Sequence, residues 1–160
     1  MVGTYNVRRV PYTAEERGIA MPSSAAEARP PGAAVPEPRS STVLRWLTAA
    51  GVLVSAVVHL YLYLDGFDAI EIIGPLFLLN GVAGIVIGLA LLVWRHPVWL
   101  VAAVGFSAAT ALAFLVSTTV GLFGVREPFW GVSQTTALVA ELVGLVCGAL
   151  LLARWWRRRR

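Results

Sequence analysis

Lysine is absent from this 160-residue chain, cysteine occurs once, histidine twice, and charged residues make up only 14% of it. A soluble domain is about one quarter charged, so the shortage of charge excludes an ordinary cytosolic enzyme. The single cysteine, Cys147, lies inside an apolar run and excludes an intrachain disulfide and any cysteine-based metal site. Only one of the two histidines, His59, falls within an apolar segment; His96 sits between Arg95 and Pro97. A bis-histidine haem site within one protomer is therefore excluded, while one shared across a dimer stays open. There is no His-Glu-x-x-His helix, CxxC pair or glycine-rich phosphate loop, so the motif-based enzyme classes find no foothold. These residues predict neither a metal site nor a cofactor.

What the chain has in excess is apolar surface, at 58% hydrophobic residues and a mean hydropathy of +0.73. Its 13 basic residues are all arginine and face 9 acids, giving a net charge of +4. A basic balance can point to nucleic acid. Here the arginines cluster at the ends of apolar segments, where they meet anionic lipid headgroups instead, and no nucleic-acid partner is expected.

Residues 1–42 differ from the rest. They hold six of the nine prolines, mixed charge and no apolar periodicity, which predicts a disordered cytoplasmic tail. Arg8-Arg9 is not followed by the apolar region an export signal needs. From Val43 onward four apolar segments follow, at 44–64, 72–94, 98–122 and 132–153. Roughly 20 helical residues cross the ~30 Å hydrocarbon core, so each can span it. The links between them are short and force consecutive helices to run antiparallel. The expected fold is an all-α membrane protein, an up-down bundle of four transmembrane helices over 43–154.

Arginine placement orients this bundle. Arg29, Arg39, Arg45, Arg95, Arg154 and the terminal arginines fall on one side; Arg126 falls on the other with Asp65, Asp68, Glu71 and Glu127. The positive-inside rule then puts both termini in the cytoplasm of a multi-pass protein of the cell membrane. Trp46, Trp94, Trp99, Trp155 and Trp156 mark the inner ends, and Trp130 an outer one. At the C-terminal anchor, 155–160, Trp155 and Trp156 sit at headgroup level beside Arg157, Arg158, Arg159 and Arg160, which bind anionic lipid at about 1 kcal/mol each. The acidic link with Asp65, Asp68 and Glu71 has too few ligands for a cation site and reads as a solvated turn.

In lipid, small and polar residues rather than apolar ones mark the packed face of a helix. Each span carries one such stripe: Thr48, Gly51, Ser55 and His59; Asn80, Gly84 and Gly88; Ser107, Thr110, Ser117 and Gly121; Gln134, Ala137, Glu141, Gly144 and Gly148. The simplest geometry turns all four toward a common seam, with Gly84, Gly88, Gly144 and Gly148 as packing positions. Counted inward from the outer ends at 1.5 Å per residue, His59 lies roughly 8 Å deep, Asn80 about 12 Å and Glu141 about 14 Å. A carboxylate at such depth costs about 2.5–3.5 kcal/mol unless it is protonated, paired or wetted. His59 and Asn80 are its nearest candidate partners. A ligand or proton pocket of Glu141, His59, Asn80 and Gln134, opening outward, is one reading. The other is structural: Asn80 as interhelical glue and His59 reaching the headgroup layer.

The run from His59-Leu60-Tyr61 through Gly74-Pro75-Leu76-Phe77-Leu78-Leu79-Asn80 resembles uncharacterised small four-span integral membrane proteins of actinobacteria, over about the first helical hairpin. The resemblance implies four helices and interest in His59 and Asn80, but no activity or cofactor. Three functional classes follow from the residues. The first is a non-enzymatic accessory or interaction subunit, alone or as a homo-oligomer, or a protein binding a lipid or small hydrophobic ligand in the outer-half pocket. The second is a proton-coupled transporter or channel component using Glu141. The third is a haem- or quinone-linked redox subunit using His59.

Overall fold

A computed structural model describes residues 39–126 and 130–160. Among these residues the chain is helical throughout: α1 (Arg39–Leu64), a short 3-10 turn (Phe67–Ala69), α2 (Ile73–Val93), α3 (Pro97–Thr119) and α4 (Val132–Arg157), with no strand. The four α-helices have 26, 21, 23 and 26 residues, and all are long and apolar enough to cross a membrane. At 1.5 Å per residue the shortest reaches about 32 Å, which matches a ~30 Å hydrocarbon layer.

Helix boundaries depart from the expected spans where a tertiary contact or a backbone twist intervenes. α1 begins at Arg39, so residues 39–42 are helical rather than part of a tail. Ser41 is buried there, and the Arg154 guanidinium donates to Ser40 Oγ at 3.1 Å, tying the first turn of α1 to the end of α4. The remainder of the predicted tail, 1–38, lies outside the described residues. α3 stops at Thr119, short of 122, because Gly121 turns to φ +92° and its N–H folds back on the Val116 carbonyl. Leu122 and Val125 then pair across a tight turn. α4 continues through Arg157, so Trp155, Trp156 and Arg157 extend the helix, and Arg159 lies over the Trp155 ring at 4.0 Å.

Helix ends in an apolar medium leave carbonyls and N–H groups that water cannot satisfy. Arg45 answers this for α2: its guanidinium donates to the Leu91 carbonyl at 2.8 Å and the Trp94 carbonyl at 2.9 Å. A cation at a helix C-terminus also opposes the negative end of the helix dipole. At the start of α3, His96 Nδ1 accepts from the Val98 N–H at 3.3 Å with Pro97 at the first helical position, so His96 is a cap.

α1 is the hub. It packs along its length on both α2 and α4; α3 packs on α4, meets α2 over a shorter stretch, and α2 and α4 do not meet. Positions on the expected inward stripes accordingly meet neighbours on both α1 and α3. Gly84 packs against Ala56 and Phe106, and Gly88 against Leu53, whereas Gly144 and Gly148 pack under Ser107 and Val104 of α3. The closest backbone approach involves Gly51. A Cβ there would lie 2.5 Å from the Ala140 carbonyl oxygen and 2.8 Å from the Gly144 nitrogen.

Burial is inverted relative to a soluble bundle. Thr48, Ser55, His59, Ser107, Thr110, Ser117 and Glu141 are inside, while Val57, Val82, Val86, Val101, Leu112, Val139 and Val146 are exposed. Gly51→Ala is expected to cost about 1–3 kcal/mol by forcing α1 off α4. Gly105→Ala, which meets nothing within 4 Å, is expected to be neutral or to stabilise by up to about 1 kcal/mol through helix propensity. Reversible unfolding in mixed micelles measures both.

Candidate functional site

The half of the bundle that holds the end of α1 and the start of α2 encloses a cavity of about 360 Å³. Leu62 of α1, Ile73 and Phe77 of α2, and Phe106 and Phe114 of α3 give it apolar walls. His59, Asn80, Gln134 and Glu141, the four residues singled out from sequence, all stand in the same wall, together with Thr110 and Ser117. Leu76 and Leu79 of α2 and Ala109 of α3 line the cavity and are also exposed on the outside of the bundle. They lie on the side where α2 and α3 pack over the shorter stretch.

Glu141 is 1% exposed. Its position follows from the close α1–α4 contact: Ser55 lies one turn after Gly51, and Glu141 immediately follows Ala140. The short serine side chain therefore reaches across, and Ser55 Oγ donates to Glu141 Oε1 at 3.0 Å. Glu141 Oε2 is buried and has no hydrogen-bond partner.

The expected direct pairing of Glu141 with His59 is not what the helices make. His59 Nδ1 lies 2.8 Å from the carbonyl oxygen of Ser55, one turn back on its own helix, and 3.5 Å from Ser55 Oγ. A carbonyl can only accept, so Nδ1 carries the proton, and in the neutral ring Nε2 is an acceptor. The imidazole edge packs against Phe77 at 5.2 Å between centroids, and Phe77 stacks on Phe67 at 4.9 Å. His59 is thereby held toward α2 while Ser55 occupies the space facing Glu141. Ser55 belonged to the small-polar stripe of α1, but sequence reasoning gave it no role. The available signal was its spacing, four residues before the histidine on one helical face.

Asn80 is likewise not a partner of Glu141. Its Nδ2 donates to Thr110 Oγ1 at 3.0 Å, and the Thr110 hydroxyl donates to the Phe106 carbonyl at 2.9 Å. The hydroxyl proton is spent on that carbonyl, so Thr110 can only accept from Asn80. This fixes the amide orientation and leaves Asn80 Oδ1 as the buried atom without a partner. Asn80 therefore ties α2 to α3, and Thr118 and Thr119 bond back to carbonyls of their own helix. Among the described residues no group of three His, Cys, Asp or Glu side chains comes together in a geometry that could hold a metal ion.

Chemically, the site is an apolar chamber with a few inward polar groups, two of them on one hydrogen-bonded chain from His59 through Ser55 to Glu141. No known protein family model, curated protein or solved structure matches the chain. Removing the hydroxyl in Ser55→Ala strands both oxygens of Glu141 and is expected to cost about 1–2 kcal/mol of stability. In double-mutant cycles Ser55→Ala should couple to Glu141→Gln more strongly than His59→Ala does; equal or reversed coupling would show that Ser55 is not the bridge.

Proposed function

We propose that this chain is a non-enzymatic multi-pass protein of the cytoplasmic membrane that binds a lipid or small hydrophobic ligand in the cavity between its helices. The observation that carries this reading is the cavity itself. About 360 Å³ falls within the ~300–1,000 Å³ of ligand sites, and an apolar lining with a few converging polar groups is their usual chemistry. A side entry between α2 and α3 would let a ligand dissolved in the bilayer reach the cavity without crossing water.

The apolar exterior supports immersion of all four helices. Orientation rests on charge. Arg45, Arg95, Arg154, Arg157, Arg158, Arg159 and Arg160 gather at one end, and Asp65, Asp68 and Glu71 at the other, so both termini face the cytoplasm and the cavity lies in the outer half. The arginine-rich end with Trp155 and Trp156 faces anionic headgroups.

Native mass spectrometry of the protein released gently from its own membrane tests the binding reading. The wild type should carry an adduct of fixed mass, and Ala113→Phe, which fills the cavity, should lose it. A bare wild type, or an adduct kept by the filled variant, overturns the proposal. The topology has its own test in a Cys147→Ser background. Asp68→Cys should react with a membrane-impermeant maleimide on intact cells, and Arg160→Cys only after permeabilisation.

A further inference from the structure

Two buried oxygens of the cavity wall lack a hydrogen-bond partner, and a histidine stands with them. Glu141 Oε2 is buried without a partner, and so is Asn80 Oδ1. His59, whose Nδ1–H is committed to the Ser55 carbonyl, has Nε2 as its remaining acceptor. Three donors beside them serve other acceptors. Ser55 Oγ serves Glu141 Oε1, Asn80 Nδ2 serves Thr110, and the Thr110 hydroxyl serves the Phe106 carbonyl. No arginine lines the cavity. Buried acceptors without donors are costly in an apolar surrounding, and a carboxyl group with no cation near it makes the imbalance one of charge as well.

We infer that the cavity is selective for hydrophobic amines, molecules that pair a hydrocarbon or aromatic body with a protonated amino group whose N–H donors meet Glu141, Asn80 and His59. This deepens the ligand-binding reading above and rests on it. The aromatic side chains of Phe77, Phe106 and Phe114 in the wall take the apolar body. The converse ligand, an apolar molecule with a carboxylate head, would bring no cation to the Glu141 carboxyl and no donor to Asn80 Oδ1. Selectivity thus arises from the unpartnered oxygens: a ligand is rejected when it leaves buried polar atoms unsatisfied.

The test uses the full chain in nanodiscs of neutral lipid and three probes on one carbon skeleton: 4-phenylbutylamine, 4-phenylbutanol and 4-phenylbutyrate. Binding is measured calorimetrically at pH 7, with empty discs subtracted. The amine is expected to bind saturably and at least tenfold more tightly than the alcohol, with the carboxylate weaker still. Glu141→Gln should bring amine and alcohol within about threefold of each other, and Ala113→Phe should abolish binding of both. The selectivity of the wild type alone decides the matter if Glu141→Gln does not fold. Saturable binding without preference for the amine overturns this inference and leaves the cavity a ligand site. No saturable binding of any probe overturns both.

Discussion

The crossing of α1 over α4 at Gly51 is the constraint on which the rest of the bundle depends. With hydrogen as its side chain, α1 comes so near that a Cβ would reach the Ala140 carbonyl oxygen. In lipid there is little hydrophobic force between helices, so close backbone packing of this kind is what holds them. The same crossing brings the short side chain of Ser55 within 3.0 Å of Glu141, which lets a carboxyl group be buried in the interior. A bulkier residue at 51 would separate the two helices and take the hydrogen bond with it. Stability and the site's polar chain are therefore two results of one contact.

Because α1 contacts α2 and α4 along its length, the weaker side of the ring falls between α2 and α3. The cavity sits behind that side. There Asn80 is bonded to Thr110 and the Phe106 ring packs on Gly84. At the opposite end the bundle is closed by polar staples instead: Arg45 on the carbonyls at the end of α2, and Arg154 on Ser40. One end of the molecule is tight and arginine-bound, and the other holds the cavity. This division leaves the bundle closed at one end and hollow at the other.

Much of this was legible in the chain. The four helices were visible as apolar runs because a segment that crosses or fills such a bundle must satisfy its backbone internally and cover it with hydrocarbon. The inward stripes were visible as well. Thr48, Ser55, Ser107, Thr110 and Glu141 are buried, since small and polar residues have no stable place against lipid. Harder to see were boundaries that rest on long-range contacts. The start of α1 depends on Arg154, more than a hundred residues away, and the end of α3 depends on a left-handed Gly121 that hydropathy does not register. The partner of Glu141 was misjudged for a related reason. Histidine is the obvious chemical mate for a carboxyl group, but reach decides the pairing, and reach depends on how closely two helices approach.

The sequence by itself determined the number of helices, which faces turn inward, the arginine-rich and acidic ends, and four of the polar residues that line the cavity. These follow from local composition and helical period, which need no partner. Only the tertiary structure decided which helices touch, that α2 and α4 do not, that Ser55 rather than His59 meets Glu141, and that a cavity is left among the helices. Those outcomes depend on interhelical distances set by a few glycines and the side chains that pack on them, and a residue's spacing along one helix carries no record of how near the next helix will come.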